Sequence, residues 1–293
     1  MGACVGCGGS QSPGVFVLEA GTYARCDGCG LASLDPLPAE GAAGALFEEG
    51  YFHGGVAGGY SDYDADGALH EANARARWAL VERHSGAPPA SVLDVGCAVG
   101  TFLVEAQRRG AQVAGVDVSP WARAQAEQRH GIGVAASVEE VAARESGEFD
   151  VVTFFQSLEH VPRPDRLLAG ACACLRPGGL VVIETWDAGS TVARVMGKAW
   201  QQMNPPTVLH LMGRPSLAAL LGRAGFELVT VERTSKLVSV GLVLHILADK
   251  FPALLGWLGV LARRPWLARL TLRYRLGDLV TAVARKPLAV VGT

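Results

Sequence analysis

Apolar residues in the central part of the chain form short runs that alternate with amphipathic stretches. Residues 91–95 (SVLDV) predict a buried parallel strand, residues 96–100 a tight glycine turn, and Thr101 the start of a helix. The pattern predicts helices at 101–109, 120–130 and 138–145, and strands at 113–117, 132–136 and 149–155. Strict alternation of strand and helix predicts an α/β fold, a parallel sheet with helices on both faces.

The alternation continues towards the carboxyl end and is preceded by one helix. The predicted elements are a lead-in helix at 69–84, a helix at 162–175, a turn and strand within 176–186, and a helix and strand within 216–234. Residues 236–276 then form a strongly apolar stretch that Pro252 and Pro265 interrupt. We expect this stretch to be a helical insertion ahead of the last strand of the sheet.

Length and composition place the chain among globular proteins. Of its 293 residues, 49% are hydrophobic, which is enough for a large core. The sequence starts without an apolar signal region and has no uninterrupted apolar stretch long enough to span a bilayer. We therefore expect a cytoplasmic protein.

Charge is distributed unevenly, although the net charge is only −2. Residues 1–74 carry ten acidic side chains and one basic side chain, Arg25, whereas residues 236–293 carry nine basic and two acidic side chains. An acidic N-terminal part is poorly matched to a phosphate backbone. We expect no nucleic-acid partner.

Four of the seven cysteines form two C-x-x-C pairs within the first 29 residues, namely Cys4, Cys7, Cys26 and Cys29. Short strands are predicted between the pairs, as in a Cys₄ zinc ribbon, where four thiolates close a tetrahedral Zn²⁺ site. Two unrelated thiol pairs are the alternative, and a redox pair is disfavoured because no βαβ unit follows either motif. A module of about 35 residues cannot bury enough apolar surface to fold alone, so we expect a structural metal.

The glycine turn after residue 95 carries a family resemblance. Asp94, Gly96 and Gly100 form an Asp-x-Gly-x-x-x-Gly pattern that resembles motif I of the class I S-adenosylmethionine (SAM) dependent methyltransferases. The rival dinucleotide-binding fingerprint needs a third glycine, and Ala98 stands in the middle of this turn. The next predicted strand ends at Asp117, whose carboxylate would take the ribose hydroxyls. The resemblance implies SAM as cofactor, with the binding residues Asp94, Gly96, Cys97, Gly100, Asp117, Val118 and Gln156.

Other segments extend the resemblance over nearly the whole chain. Arg176-Pro-Gly-Gly179 is similar to a recurrent methyltransferase signature, and the paired cysteines and the closing GDLVTAVARKP resemble bacterial methyltransferases with an N-terminal zinc ribbon. This family implies a Rossmann-like seven-stranded sheet whose antiparallel last strand, 279–287, lies beside the sixth. The implied division is a zinc ribbon at 1–35, an arm and lead-in helix at 36–88, a SAM-binding core at 89–235, the helical insertion at 236–276 and the final strand at 277–293.

Chemistry is expected where the strands end, because ligands of a doubly wound sheet lie beyond the carboxyl ends of its strands. The strand at 149–155 leads into QSLEHVPRP. Histidine titrates near neutral pH, so His160 is the candidate general base, with Glu159 orienting it. The alternative is that His160 caps a loop and Glu159 binds backbone amides. The string LEHVP resembles small-molecule methyltransferases of the ubiquinone-biosynthesis type and zinc-containing sugar C-methyltransferases.

A second catalytic candidate is His210. Zinc-ribbon methyltransferases of this layout carry a P-P-E-H-L string at the corresponding place, and here residues 205–209 are PPTVL, with His210 one residue later. If the family histidine contacts substrate, this chain has lost that contact or moved it to His210.

The resemblance implies an enzyme that methylates a small-molecule or carrier-linked acceptor at oxygen or carbon, in natural-product, sugar or cell-envelope chemistry. Two alternatives come from other classes. One is a zinc-containing ribosomal RNA methyltransferase, against which the acidic N-terminal part argues. The other is a non-catalytic SAM-binding partner protein.

Two segments leave alternatives open. The glycine-rich stretch with Tyr51, Phe52, Tyr60 and Tyr63 is either a mobile segment that closes over a ligand or an arm packed on the core. The insertion either covers the mouth of the site or forms a homodimer interface, or its basic, tryptophan-containing part at 251–275 lies on a membrane surface. Either way it brings apolar surface to the site, so we expect a hydrophobic acceptor.

Overall fold

A computed structural model describes residues 2–41, 43–53, 63, 66–262, 264–268 and 270–288, so Tyr60 and its glycine-rich surroundings lie outside the described residues. The strands are β1 Gln11–Leu18, β2 Gly21–Cys26, β3 Ala32–Asp35, β4 Ser91–Val95, β5 Gln112–Val116, β6 Val134–Ala135, β7 Phe149–Phe155, β8 Leu175–Trp186, β9 His210–Leu211, β10 Glu227–Arg233, β11 Lys236–Ser239, β12 Thr271–Tyr274 and β13 Leu279–Arg285. The helices are α1 Glu49–Phe52, α2 Gly67–Ser85, α3 Thr101–Arg108, α4 Pro120–His130, α5 Val138–Arg144, α6 Pro164–Cys174, α7 Thr191–Met196, α8 Arg214–Arg223, α9 Val240–Lys250, α10 Pro252–Leu255, α11 Leu258–Ala262 and α12 Pro265–Ala268.

A seven-stranded sheet forms the centre, with strand order β10-β13-β8-β7-β4-β5-β6. Neighbouring strands from β8 to β6 are parallel, whereas β13 is antiparallel to both β8 and β10. Leu93, Val152 and Val181 are fully buried in this sheet, as expected for parallel strands with both faces covered. The predicted Rossmann-like α/β sheet, with its antiparallel last strand beside the sixth, is confirmed.

Capping residues determine where the helices next to the central site begin. The Ser119 and Ser137 hydroxyls accept backbone N–H groups at the starts of α4 and α5. Helix α3 follows Gly100, which adopts a left-handed conformation with φ of 83°. Each helix therefore starts directly beyond the carboxyl end of a strand.

The cysteine-containing N-terminal segment is joined to the core by strand pairing. Strands β1, β2, β3 and β9 form a four-stranded antiparallel sheet, and β9 belongs to the segment that precedes α8. Tyr23 is fully buried, and its hydroxyl donates a hydrogen bond to the carbonyl oxygen of Val208 at 2.6 Å. Cys29 and Leu31 share a buried cluster with Leu217 of α8. The ribbon and the core therefore bury surface against each other.

Residues 236–276, called the lobe below, carry helices α9 to α12 and a two-stranded antiparallel sheet of β11 and β12. The Asn73 side chain on α2 bonds both the N–H and the carbonyl of Leu237, at 2.8 and 2.9 Å, which fastens the lobe to the core. In the described part of the chain, every helix is too short or too polar to span a bilayer.

Candidate functional site

A cavity of about 750 Å³ opens beyond the carboxyl ends of β4, β5 and β7. Residues of α2, the aromatic side chains of Phe47 and Tyr51, and β11 of the lobe complete its wall. The predicted site residues that line it are Asp94, Gly96, Cys97, Asp117, Val118, Gln156 and His160. Gly100, Glu159 and His210 are not among the lining residues.

The glycine turn allows β4 and the segment after β7 to approach closely. Gly96 has φ of 79°, and a Cβ placed there would lie 2.4 Å from the Cβ of Ser157, so no other residue fits without displacement. The Cys97 side chain is buried in a small cluster with Leu103. Cys97 therefore packs the turn with its side chain and contributes no exposed thiol.

Two buried carboxylates stand at the ends of neighbouring strands. Asp94 accepts a hydrogen bond from Thr153 Oγ1 at 2.7 Å, and burial raises the pKa of Asp94 to about 7. Asp117 accepts from the backbone N–H groups of Ala98 and Ser119 at 2.8 and 2.9 Å, and burial raises its pKa against the effect of these bonds. A carboxylate offers about four acceptor positions. Both groups can therefore accept further hydrogen bonds from a ligand in the cavity.

His160 has a defined tautomer. Its Nδ1 lies 2.6 Å from the carbonyl oxygen of Thr207, and a carbonyl only accepts, so Nδ1 carries the proton of the neutral ring. Nε2 is then the basic nitrogen. The ring also packs edge-on against Phe47, with centroids 5.5 Å apart. The structure thus gives His160 an oriented imidazole at the cavity wall, with the Thr207 carbonyl as its hydrogen-bond partner in place of the predicted Glu159.

Glu159 lies behind the cavity wall, with 2% of its surface exposed. Among the described residues neither carboxyl oxygen has a well-formed hydrogen bond, although Thr185 is nearby. Burial raises the pKa of this carboxyl, and the neighbouring His160 partly opposes the shift. The backbone carbonyl of Glu159 accepts the N–H of Leu209 at 2.9 Å. The backbone of Glu159 therefore contacts the segment 207–211, whose Thr207 carbonyl also binds His160.

His210 is buried between the ribbon and the core. Its Nε2 lies 3.0 Å from the carbonyl of Val161, and its Nδ1 lies 2.9 Å from the Ser33 hydroxyl. The carbonyl requires the proton on Nε2, so Nδ1 accepts from Ser33. Burial lowers the pKa of His210 to about 4. Both ring nitrogens are thus engaged, and the ring stays neutral near pH 7.

A buried polar network at the cavity floor was not predicted. Arg77 of α2 binds Glu184 Oε1 of β8 through Nε at 3.2 Å and Nη2 at 2.5 Å, and Gln156 Nε2 donates to the same oxygen at 2.8 Å. Lys236 Nζ donates to Gln156 Oε1 at 2.8 Å. Burial opposes ionisation of Glu184, but the charge of Arg77 and its hydrogen bonds lower the pKa of Glu184 overall. An acid within the apolar strand LVVIETW is the one sequence signal that points to such a network.

Comparison with known proteins decides the family. A model of the methyltransferase domain matches residues 68–231. The ubiquinone biosynthesis O-methyltransferase of Burkholderia thailandensis is 33% identical over 196 residues, which cover 62% of this chain and 80% of the relative. Its counterpart in Burkholderia multivorans is 38% identical over 195 residues, with the same coverage. The chain belongs to the class I SAM-dependent methyltransferases.

A solved structure shows the same fold. It is the 1,6-didemethyltoxoflavin-N1-methyltransferase of Burkholderia thailandensis, with bound 1,6-didemethyltoxoflavin and S-adenosylhomocysteine. The likeness covers 94% of this methyltransferase and 99% of that chain, with a TM-score of 0.53 and 21% identity. At that identity the likeness concerns the fold alone.

The cavity of this methyltransferase suits the chemistry of SAM. The cofactor carries a cationic amino-acid end and two ribose hydroxyls, and Asp94 and Asp117 provide carboxylate acceptors in the cavity wall. The volume of about 750 Å³ is in the range of small-molecule sites, about 300–1,000 Å³.

The four cysteines of the methyltransferase form one cluster. Their Sγ atoms all lie within 4.8 Å of one another, with Cys4 to Cys29 at 3.7 Å and Cys7 to Cys26 at 3.4 Å. A tetrahedron with Zn–S bonds of about 2.3 Å has sulfur separations of about 3.8 Å. The N–H of Gly6 points at Cys4 Sγ, at 3.3 Å. The arrangement fits a Zn²⁺ ion.

Proposed function

We propose that this methyltransferase transfers the methyl group of SAM to a hydroxyl oxygen of a small, largely apolar acceptor. The observation that carries the proposal is the His160 imidazole, which the Thr207 carbonyl orients at the wall of the cavity. Both relatives compared above are O-methyltransferases by name, which supports a hydroxyl as the acceptor group. Phe47, Tyr51 and Leu242 in the cavity wall support an apolar body.

The bound cofactor supplies an electrophilic methyl group on a sulfonium. Asp94 would hold its cationic amino-acid end and Asp117 its ribose hydroxyls, with the main chain of Gly96 and Cys97 close to the ligand and Val118 against its base. Gly100, with φ of 83°, would shape the turn from behind. Nε2 of His160 would take the hydroxyl proton as the oxygen forms its bond to the methyl carbon. The resulting imidazolium keeps its Nδ1–H on the Thr207 carbonyl, so the ring does not have to reorient.

Glu159 and His210, both predicted as catalytic, suit positioning roles instead. The backbone carbonyl of Glu159 accepts the N–H of Leu209, and the His210 ring links Ser33 to Val161. Together they hold the segment whose Thr207 carbonyl fixes His160. We assign the base to His160 alone.

The test is the variant His160→Ala, assayed with methyl-labelled SAM against a panel of phenols, enols and sugars, with RNA in parallel. Removal of a general base should lower turnover about 10²-fold or more, while calorimetry shows unchanged SAM affinity. His245→Ala is the matched control, since this exposed histidine stands on the lobe. Label recovered in RNA, or equal turnover in His160→Ala, would contradict the proposal. SAM binding without turnover on any extract fraction would favour a non-catalytic partner protein.

We also propose Zn²⁺ as the ion of the cysteine cluster, held by Cys4, Cys7, Cys26 and Cys29. Four thiolates leave no open coordination position, so the ion would act on structure and not in the reaction. The ribbon buries side chains against α8 and β9, so metal binding would stabilise the core as well.

The lobe supports a proposal on the source of the acceptor. Leu254, Trp257, Val260 and Trp266 are 74%, 62%, 65% and 62% exposed, and Arg264, Arg273 and Arg275 are exposed beside them in the chain. Exposed tryptophan with arginine suits the headgroup plane of an anionic membrane. The base of the lobe lines the cavity through Leu237 and Leu242. We propose that the lobe contacts such a surface and that an apolar acceptor enters from it.

A further inference from the structure

We infer that Lys236 binds the acceptor oxygen in its anionic form, so that the acceptor class is acidic phenols and enols and not simple alcohols. The inference rests on the proposed function, because it concerns the acceptor bound in the same cavity. It adds a residue that neither the motifs nor the family comparison indicates, and it narrows the class of hydroxyl acceptor.

The position of Lys236 is the first support. It is the first residue of β11 and lines the cavity that also contains His160. Its Nζ donates to Gln156 Oε1 at 2.8 Å and lies 4.8 Å from the centroid of the Trp186 ring. An ammonium group has three N–H donors, of which Gln156 takes one and the face of Trp186 attracts the cation on another side. The group is thus held in place and can still donate.

The charge balance around Lys236 is the second support. Glu184 is engaged by Arg77, and the Asp278 carboxylate accepts from Trp200 Nε1 and Tyr274. The pKa of the buried Glu159 is raised, which favours its neutral form. Among the described residues no carboxylate lies within ion-pair distance of Nζ. The ionisable groups that surround it are Arg77, Glu159, His160, Glu184 and Asp278.

A partly buried cation whose nearest partners are an amide and an indole is a site for an anion. Burial lowers the pKa of Lys236 to about 8, and the charge of Glu184 opposes this shift only in part. A phenolate in the cavity would supply a counter-ion in direct contact and form a charge-assisted hydrogen bond. A fully basic alkoxide would not form at neutral pH, so an acidic hydroxyl is the matching group.

Lys236 and His160 then divide the work on one oxygen. Nε2 of His160 would accept the hydroxyl proton, and the Lys236 ammonium would stabilise the oxyanion until its electron pair forms the new bond to the methyl carbon. The bond from that carbon to the sulfonium sulfur would break, with S-adenosylhomocysteine as the leaving group. The proton stays on His160 and the lysine gives up none. The cation acts on charge that develops during the reaction, which favours turnover more than binding of the neutral acceptor.

The test uses p-nitrophenol, whose phenolate absorbs visible light, as an unreactive probe with the full-length protein saturated with S-adenosylhomocysteine. Bound p-nitrophenol should ionise at lower pH than free p-nitrophenol. In Lys236→Met this shift should vanish, and affinity for the phenolate should fall about tenfold or more. Lys236→Arg should restore part of both effects. Lys250→Met is the matched control, because Lys250 lies on the same lobe but binds the carbonyl of Met203 outside the cavity.

The outcomes separate two failures. If calorimetry shows no binding of S-adenosylhomocysteine, the proposed function fails first. If the cofactor product binds but p-nitrophenol does not, or titrates identically in the wild type and in Lys236→Met, the role of Lys236 is refuted. A parallel titration with p-nitrobenzoate tests the rival anion: tighter, Lys236-dependent binding of this carboxylate would overturn the assignment to phenols. Lys236→Arg keeps the test decisive should Lys236→Met fold poorly.

Discussion

Asp94 is deeply buried, and its proposed role of holding a cationic ligand end requires a negative charge, which burial disfavours. Burial raises its pKa from 3.8 to about 7, with the Thr153 hydroxyl as a hydrogen-bond donor. The folded protein therefore binds the carboxyl proton more tightly than the unfolded chain does. By linkage, this residue makes the ligand-free fold less stable as the pH rises from about 4 to about 7. A cationic ligand end beside Asp94 would reverse that loss.

The variant Asp94→Asn should accordingly separate stability from binding. At about pH 8 the ligand-free variant should unfold at a higher temperature, by about 2–4 °C for each kcal/mol recovered, because the amide oxygen still accepts from Thr153 without a buried charge. Its affinity for SAM should fall about tenfold or more, and wild-type affinity should weaken as the pH falls through about 7. Thermal denaturation and calorimetry measure the two effects.

Asp249→Asn, on an exposed acid of the lobe, is the control and should change neither quantity. An Asp94→Asn protein that melts earlier and binds SAM normally would show that the carboxylate serves the fold and not the ligand.

Single residues could be predicted where their role follows from a local pattern. Asp94, Gly96 and Asp117 stand at strand ends within one short stretch, and all three line the cavity. The network that includes Lys236 joins positions 77, 156 and 184, which only the register of the finished sheet brings together. The tautomers of His160 and His210 could not be predicted either, because each depends on which backbone carbonyl the ring contacts in the folded protein.

At the level of elements, the segment from Thr207 to Leu211 joins the ribbon to the site. The N–H of Leu34 donates to the carbonyl of Leu209 at 2.8 Å, and the Tyr23 hydroxyl donates to the carbonyl of Val208. The next carbonyl towards the N-terminus, that of Thr207, accepts from His160. The ribbon therefore supports the backbone that orients the proposed base.

Removal of the metal should affect both stability and turnover. A chelator, or the variant Cys26→Ser, should release one Zn²⁺ per chain and lower the thermal midpoint, since the ribbon has little core of its own. Turnover should fall as well, because the Thr207 carbonyl loses its support, while SAM affinity falls less. Elemental analysis, thermal denaturation and calorimetry give the three readouts.

Cys172→Ser changes a thiol on α6, outside the cluster, and should retain the metal and the midpoint. A zinc-free preparation with full stability and full activity would rule out the metal's proposed role.

Helices and strands could be predicted where the local sequence determines them. Alternating apolar runs and glycine turns specify the central strands and helices, and the observed bounds of α4 and β7 match the predicted 120–130 and 149–155. The two-residue strand β9 and the two-stranded sheet of β11 and β12 could not be predicted in this way. Their hydrogen bonds join residues far apart in the chain, as in Ser33 with His210, and no periodicity in so short a segment reveals the partner.

On the scale of the whole molecule, charge and apolar surface are segregated. Residues 1–74 carry the acidic excess, whereas residues 236–276 carry seven basic side chains and one acidic one. The exposed tryptophans stand within this basic part. An anionic surface would attract the lobe and repel the N-terminal part. In the proposed membrane contact this charge difference would turn the lobe towards the lipid, and the base of the lobe lines the cavity.

The final prediction follows from that orientation. At low salt the protein should co-sediment with vesicles of phosphatidylglycerol and not with neutral phosphatidylcholine vesicles, and high salt should release most of it because screening weakens the attraction of Arg264 and Arg273. Trp257→Ala should weaken sedimentation severalfold by removing an exposed indole from the interface, whereas Val195→Ala, at an exposed apolar position on α7, should not. Protein that stays in the supernatant with a scattering mass twice that of one chain would instead make the apolar face of the lobe a homodimer interface, and the acceptor would then have to reach the cavity from solution.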